Sequence, residues 1–261
     1  MLKARILSTL IGVPILIGFL FLGKVPFFVL TVILVLAGLD EFYSIAGKLD
    51  KHPIVSLGML GGASFCLAAL LCGERGLTLT LAFILILILA AQFFAPGKND
   101  LSDIAITLFG SLYVGFLFSY LILIREMNSQ GPIVVLLIFI SIWVYDIVAY
   151  AAGSVLGRRK LAPQTSPGKT WEGAIIAALV TILLLCSIFF IPWFSLSHRI
   201  LLGLVVGLIS PFGDLAESKL KREAGIKDTS SRIPGHGGVL DRFDSLLFTA
   251  PIAYYLFRAI L

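Results

Sequence analysis

The chain has 261 residues, 59% of them apolar and only 13% charged, with a formal net charge of +5. Soluble domains carry about 25% charged residues, so this composition excludes a water-soluble enzyme, as does the mean hydropathy of +1.03. The basic excess suits loops obeying the positive-inside bias better than a nucleic-acid partner.

Apolar runs organise the chain, because a membrane helix needs about 20 residues to cross roughly 30 Å of hydrocarbon. The first run, Ile6 to Gly23, follows Lys3 and Arg5. Its length, the lack of a small-residue cleavage site and a second run from about Val25 mark an uncleaved membrane helix. Further runs cover about 25–46, 53–73, 76–96, 104–124, 132–157, 171–193, 200–222 and 243–261. The expected fold class is all-α, a polytopic integral membrane protein of about nine transmembrane helices. Residues 1–130 hold about five of them. Residues 131–261 hold about four, with cytoplasmic loops at 157–170 and 223–242.

With the loops alternating in side, fifteen of the 20 Lys and Arg fall on the side of the N-terminus, Lys98 among them, and five on the other. That asymmetry predicts a cytoplasmic N-terminus. It also places the polar loops, and hence an active site, at the cytoplasmic ends of the C-terminal helices. Cys66, Cys72 and Cys186 lie inside apolar runs and form no disulfide or metal framework.

The eighth run carries Asp214, Glu217, Ser218 and Lys221 at offsets 0, 3, 4 and 7, which is one helix face, just after Pro211. Asp241, Asp244 and Ser245 form a similar face at the start of the ninth. Carboxylates are costly in a bilayer unless paired or cation-bound. Pairing with Lys221 and Arg222 at helical spacing explains one of these acids. Three aspartates at two helix ends, Asp214, Asp241 and Asp244, point instead to a hard cation such as Mg²⁺.

Between the two faces runs a loop with Lys227, Asp228, Arg232, Gly235, His236, Gly237 and Gly238. Its glycines permit positive φ, and successive N–H groups can then turn toward an anion; the competing reading is an ordinary turn. The other loop ends in Gly168-Lys169-Thr170, like a Walker A segment, but Pro163 stands where the first glycine belongs, and a P-loop is rejected. Ser166, Lys169 and Thr170 can still donate to phosphate oxygens, with Glu172 pairing locally; the alternative is a basic loop attracting anionic headgroups. Asp146, two to three turns inside the sixth run with Tyr150 and Ser154 on its face, is either functional or a protonated acid bonded to tyrosine. Asp40 and Glu41 are weaker candidates. His52 and His198 fall in short loops with no catalytic part, unlike His236.

The stretch Ser218-Lys219-Leu220-Lys221-Arg222, then Lys227-Asp228, then Pro234 through Asp244 resembles the signature of the phosphatidate cytidylyltransferases, the CDP-diacylglycerol synthases, of bacterial type. Trp143 to Asp146 and Ser166 to Gly173 resemble looser motifs of the same family. The resemblance covers about residues 140–250 and implies that CTP and phosphatidate give CDP-diacylglycerol and pyrophosphate with Mg²⁺, one ion or two, in phospholipid biosynthesis at the cytoplasmic (inner) membrane. On this reading Asp214, Asp241 and Asp244 hold metal, and Lys221, Arg222, Lys227 and Arg242 clamp phosphates beside Asp228. His236 protonates pyrophosphate or only hydrogen-bonds. Ser166, Lys169, Thr170, Ser218, Gly235, Gly237 and Gly238 bind substrate, with Asp146, Glu172 and Glu217 in a second tier. CTP, phosphatidate and the bilayer are the expected partners, nucleic acid is not, and a homodimer is compatible. The rival is an ion-coupled transporter, whose acids belong near the bilayer midplane rather than beside basic clusters at the cytoplasmic ends.

Overall fold

The computed structural model describes residues 2–94, 100–189 and 191–259; Lys98 and the last two residues of the ninth run lie outside them. The elements in order are α1 (Leu2–Leu22), α2 (Lys24–Gly47), α3 (Val55–Phe94), α4 (Leu101–Gly110), a π-helical stretch (Ser111–Phe116), α5 (Leu117–Glu126), α6 (Gly131–Leu156), β1 (Lys160–Ala162), β2 (Ser166–Thr170), α7 (Trp171–Ser187), α8 (Leu196–Glu223) and α9 (Leu240–Arg258). Among the described residues, five helical segments are long and apolar enough to cross a membrane: Lys24–Gly47, Val55–Ala91, Leu101–Glu126, Gly131–Leu156 and Leu196–Glu223. Ile6–Leu22 and Trp171–Ser187 are apolar but shorter. The protein is an all-α integral membrane protein.

Two compact units make up the chain, Met1–Pro132 with Glu223–Phe243, and Ile133–Arg222 with Asp244–Leu261. The second stretch of the first unit, grouped with the C-terminal helices in the sequence reading, packs with the N-terminal ones.

In the first unit α2 packs against α1, α3 and the helix running from α4 through α5. Leu39, Phe65, Phe118 and Ile122 are buried in it. The apolar runs at 53–73 and 76–96 are two helices, labelled together as α3, that meet at Gly73, where φ of 62° and ψ of −147° break the helical path in a way glycine adopts cheaply. A side chain at Gly115 would strike the backbone of Gly62, so α3 and the π-helical stretch touch main chain to main chain. Tyr43 donates to the Thr107 carbonyl at 2.7 Å. Asp100 starts α4 in a capping box with Asp103, and the Ser102 hydroxyl and Asp103 N–H hold its carboxyl below the usual range.

In the second unit α8 meets α7 where Gly207 lies on Ala178 and Gly203 on Ile182. It meets α9 where Gly213 lies on the Asp244 carbonyl, and Ser245 donates to the Ser210 carbonyl at 3.1 Å. Those contacts bring the turn that bears Asp214 against the part of α9 that bears Asp244 and Ser245.

Several element ends differ from the sequence expectation. The 157–170 loop holds a small antiparallel hairpin, with Lys160 opposite Thr170 and Ala162 opposite Ser166. α8 starts earlier, at Leu196, because the Ser195 hydroxyl accepts the His198 N–H at 3.4 Å, which places His198 in the helix. α7 stops at Ser187 rather than near 193, the backbone leaving the helix at Ile188. α9 starts at Leu240 rather than 243, for a reason that belongs to the site.

Candidate active site

The site residues of the second unit gather on the hairpin, α8 and α9. Thr170 ends β2 and caps α7, accepting the Gly173 N–H at 3.2 Å. Glu172, in the first turn of α7, accepts the N–H groups of Arg158 at 3.0 Å and Arg159 at 3.1 Å, which closes the base of the hairpin. So held, the hairpin presents Lys169, whose Nζ forms an ion pair with Asp214 Oδ2. The other Asp214 oxygen accepts from the Ser218 hydroxyl one turn along α8, at 3.1 Å. Arg222, another turn on, donates through Nε to the Thr165 carbonyl at 3.2 Å. Asp244 lies within electrostatic reach of Asp214, Lys169 and Lys221.

Glu217 and Lys221 form the i, i+4 pair that helical spacing suggested, Nζ to Oε2 at 2.6 Å, with the Glu217 side chain wholly buried. Asp214 and Asp244 are thus two neighbouring carboxylates set among the cations Lys169, Lys221 and Arg222. Asp146 and Tyr150 stand on an exposed face of α6.

The site residues of the first unit lie on the glycine loop and the start of α9. Gly235 and Gly237 have φ of 78° and 84°, so here the glycines are needed for the backbone path. Ile233 and Gly237 pair across the turn, and the N–H groups of His236 and Gly238 are spent inside the loop, on the Ile233 carbonyl at 2.9 Å and on Asp241 Oδ2 at 2.8 Å. Two of the amides expected to cradle phosphate therefore serve the turn. Asp241 Oδ2 also accepts the Thr229 N–H at 2.9 Å and the Thr229 hydroxyl at 2.8 Å. Arg242 Nε donates to the His236 carbonyl at 2.9 Å, while Lys227 and Asp228 are exposed.

Helices α1 and α2 hold this loop. The Ser8 hydroxyl lies 2.6 Å from His236 Nδ1 and donates to the Pro234 carbonyl at 3.2 Å; Thr9 Oγ1 lies 3.4 Å from Nε2. Arg232 pairs with Asp40 and donates to the Ala37 carbonyl at 3.2 Å. Glu41, 1% exposed, accepts from the hydroxyls of Thr229 at 3.0 Å and Ser230 at 2.7 Å, and from the N–H groups of Val239 at 3.0 Å and Leu240 at 2.8 Å. This capping by a distant residue is why α9 begins at Leu240.

The structure thus sorts the expected residues into two sets. Asp146, Ser166, Lys169, Thr170, Glu172, Asp214, Glu217, Ser218, Lys221, Arg222 and Asp244 belong to one unit, and Lys227, Asp228, Gly235, His236, Gly237, Gly238, Asp241 and Arg242 to the other. Among the described residues no three His, Cys, Asp or Glu side chains come together to hold a metal ion. Sequence reasoning undervalued Glu41; its signal was an acid pair, Asp40-Glu41, late in an apolar helix.

Apolar helices combined with a charged cluster at the end of α8 define an integral membrane enzyme of the nucleotidyl-transfer class once the family is taken into account. The chain matches the model of the Cytidylyltransferase family over residues 3–260 and belongs to that family. It is 33% identical to a phosphatidate cytidylyltransferase of Synechocystis sp., covering 96% of this chain and 94% of that one. It is 32% identical to one of Bacillus subtilis, covering 97% of each. With one of Haemophilus influenzae it shares 44% identity over 51% of this chain and 48% of that one.

Proposed function

We propose that the chain is a phosphatidate cytidylyltransferase, moving CMP from CTP to phosphatidate and releasing pyrophosphate. The observation that carries this reading is the Lys169–Asp214 pair beside Asp244: a partly exposed cation, delivered by a hairpin, on an acid at a membrane-helix end. The names of the full-length relatives agree with it. A transporter gains no support from those names.

In this mechanism a phosphate oxygen of phosphatidate, anchored by its acyl chains, attacks the α-phosphorus of CTP. The bond to the β-phosphate bridging oxygen breaks, and pyrophosphate leaves with that electron pair. The nucleophile is already anionic, so no strong base is required, and positioning and charge neutralisation supply the catalysis. Lys169 exchanges its carboxylate for substrate phosphate, while Lys221, Arg222, Lys227 and Arg242 provide further positive charge. Ser166, Thr170 and Ser218 offer hydroxyls. Of the three aspartates that the signature implies, Asp214 and Asp244 of the second unit would hold Mg²⁺. A pair of carboxylates with phosphate and water suits that ion, and neighbouring Asp214 and Asp244 supply such a pair. Bound there, Mg²⁺ supplies neutralisation of the triphosphate.

We place the N-terminus and this site on the cytoplasmic side of the inner membrane, on the fifteen-to-five basic asymmetry. Nine crossings follow when α3 is divided at Gly73 and α4 through α5 is taken as one. A homodimer is compatible with this arrangement. The test supplies purified protein in mixed micelles with labelled CTP and phosphatidate. Label should enter the lipid phase only with Mg²⁺ present, and Asp244→Asn should reduce the rate at least about 100-fold, the scale of a lost positioning group. No labelled lipid with any phosphatidate overturns the function, and near-normal turnover of Asp244→Asn overturns the metal assignment.

A further inference from the structure

The glycine loop and the start of α9 are built on α2, and one side chain accounts for most of that hold. Each oxygen of Glu41 faces one hydroxyl and one backbone N–H: Oε1 those of Ser230 and Val239, Oε2 those of Thr229 and Leu240. Charge-assisted bonds of this kind are shorter and stronger than neutral ones. The carboxylate also lies at the positive end of α9, whose first N–H groups have no partner inside the helix.

The Thr229 hydroxyl lies 3.0 Å from Glu41 Oε2 and 2.8 Å from Asp241 Oδ2, so the buried acid of α2 and an acid of the signature share its single proton. A side chain at Gly238 would run into Thr229 Oγ1 and Glu41 Oε2, which shows how closely the loop is drawn onto the carboxylate.

We propose that Glu41 is a positioning residue for the transferase reaction: through Thr229, Ser230 and the N–H groups of Val239 and Leu240 it sets where Asp241 and Arg242 stand. The inference rests on the proposed cytidylyl transfer. Glutamine cannot substitute, because each oxygen of Glu41 faces a backbone N–H, and an amide in either orientation sets an NH₂ group against one of them.

The experiment compares wild type, Glu41→Gln, Glu41→Asp and Ser230→Ala in detergent, with rates normalised to folded protein measured by gel filtration and thermal unfolding. Glu41→Gln should lower kcat per folded molecule by about 100-fold, the scale of a misplacement of about 1 Å, with KM for CTP and phosphatidate within about threefold. Glu41→Asp should recover at least about tenfold of that loss, and Ser230→Ala should lose about tenfold. Unchanged kcat per folded Glu41→Gln molecule overturns the proposal, since a purely structural role lowers only the amount of folded enzyme. Should Glu41→Gln not accumulate, Ser230→Ala decides: a reduced kcat supports the proposal and an unchanged one overturns it. Trypsin cleavage after Lys227 and Arg232 supplies a readout without turnover. If wild type makes no labelled lipid, the transfer reading fails on its own account, and faster cleavage of Glu41→Gln still supports the hold on the loop, whereas equal cleavage overturns it.

Discussion

Replacing Lys221 by methionine strands a charge. Its partner Glu217 is wholly buried and the lysine side chain is 10% exposed, with 2.6 Å between them, so water cannot stand in for the lost ammonium. Breaking a buried pair from one side costs about 3–5 kcal/mol. At roughly 2–4 °C per kcal/mol for a chain of this size, the unfolding midpoint should fall by about 6–20 °C. The double variant Glu217→Met/Lys221→Met removes both charges and fills similar volume, so its midpoint should return to within a few degrees of wild type. Turnover should behave differently. If Lys221 also neutralises substrate phosphate, the double variant stays at least about 100-fold below wild type although its fold is restored. The assay pairs scanning fluorimetry in detergent with the labelled-CTP lipid assay on the same preparations. A Lys221→Met protein as stable as wild type would refute the buried-charge argument, and a double variant with wild-type turnover would remove Lys221 from the phosphate site.

Lys169 presents the opposite balance. Its pair with Asp214 is over a quarter exposed on each side, so Lys169→Ala should change stability by no more than about 1 kcal/mol. The rate should nevertheless fall at least about tenfold, because this group meets the substrate; a proportionate loss of both would show that the hairpin lysine is only a tie. His236 has hydroxyls of α1 near both ring nitrogens, an arrangement that suits a loop tie better than an acid. His236→Asn should therefore keep the shape of the pH–rate profile with only a severalfold lower rate, and loss of one limb of that profile would restore the general-acid role.

The apolar runs were legible because membrane thickness sets helix length, whatever the rest of the fold does. Their ends were less so. The start of α9 depends on Glu41, and no local signal near residue 240 reports a cap contributed from α2. The hairpin was invisible because strands of three and five residues, the second containing Pro167, give no alternation to read. In the site, the Glu217–Lys221 pair could be read from i, i+4 spacing alone. The seat of Lys169 on Asp214 could not, since it depends on a hairpin folding back toward α8. Thr170 was read as a phosphate donor and serves also as a helix cap, since a threonine before an apolar run can play either part.

The packing of Glu223–Phe243 with the N-terminal helices has a bearing on how the protein is made. Glu41 leaves the ribosome 188 residues ahead of Thr229, the first of its partners in the chain. At about 5–20 residues per second that interval is roughly 10–40 s, during which a carboxylate destined for burial has no hydroxyl or helix end to receive it. Water, a headgroup or the insertion machinery must shelter it meanwhile. The N-terminal unit closes only when synthesis is nearly finished, so a chain stalled before the glycine loop lacks the partners that bury the acid of α2.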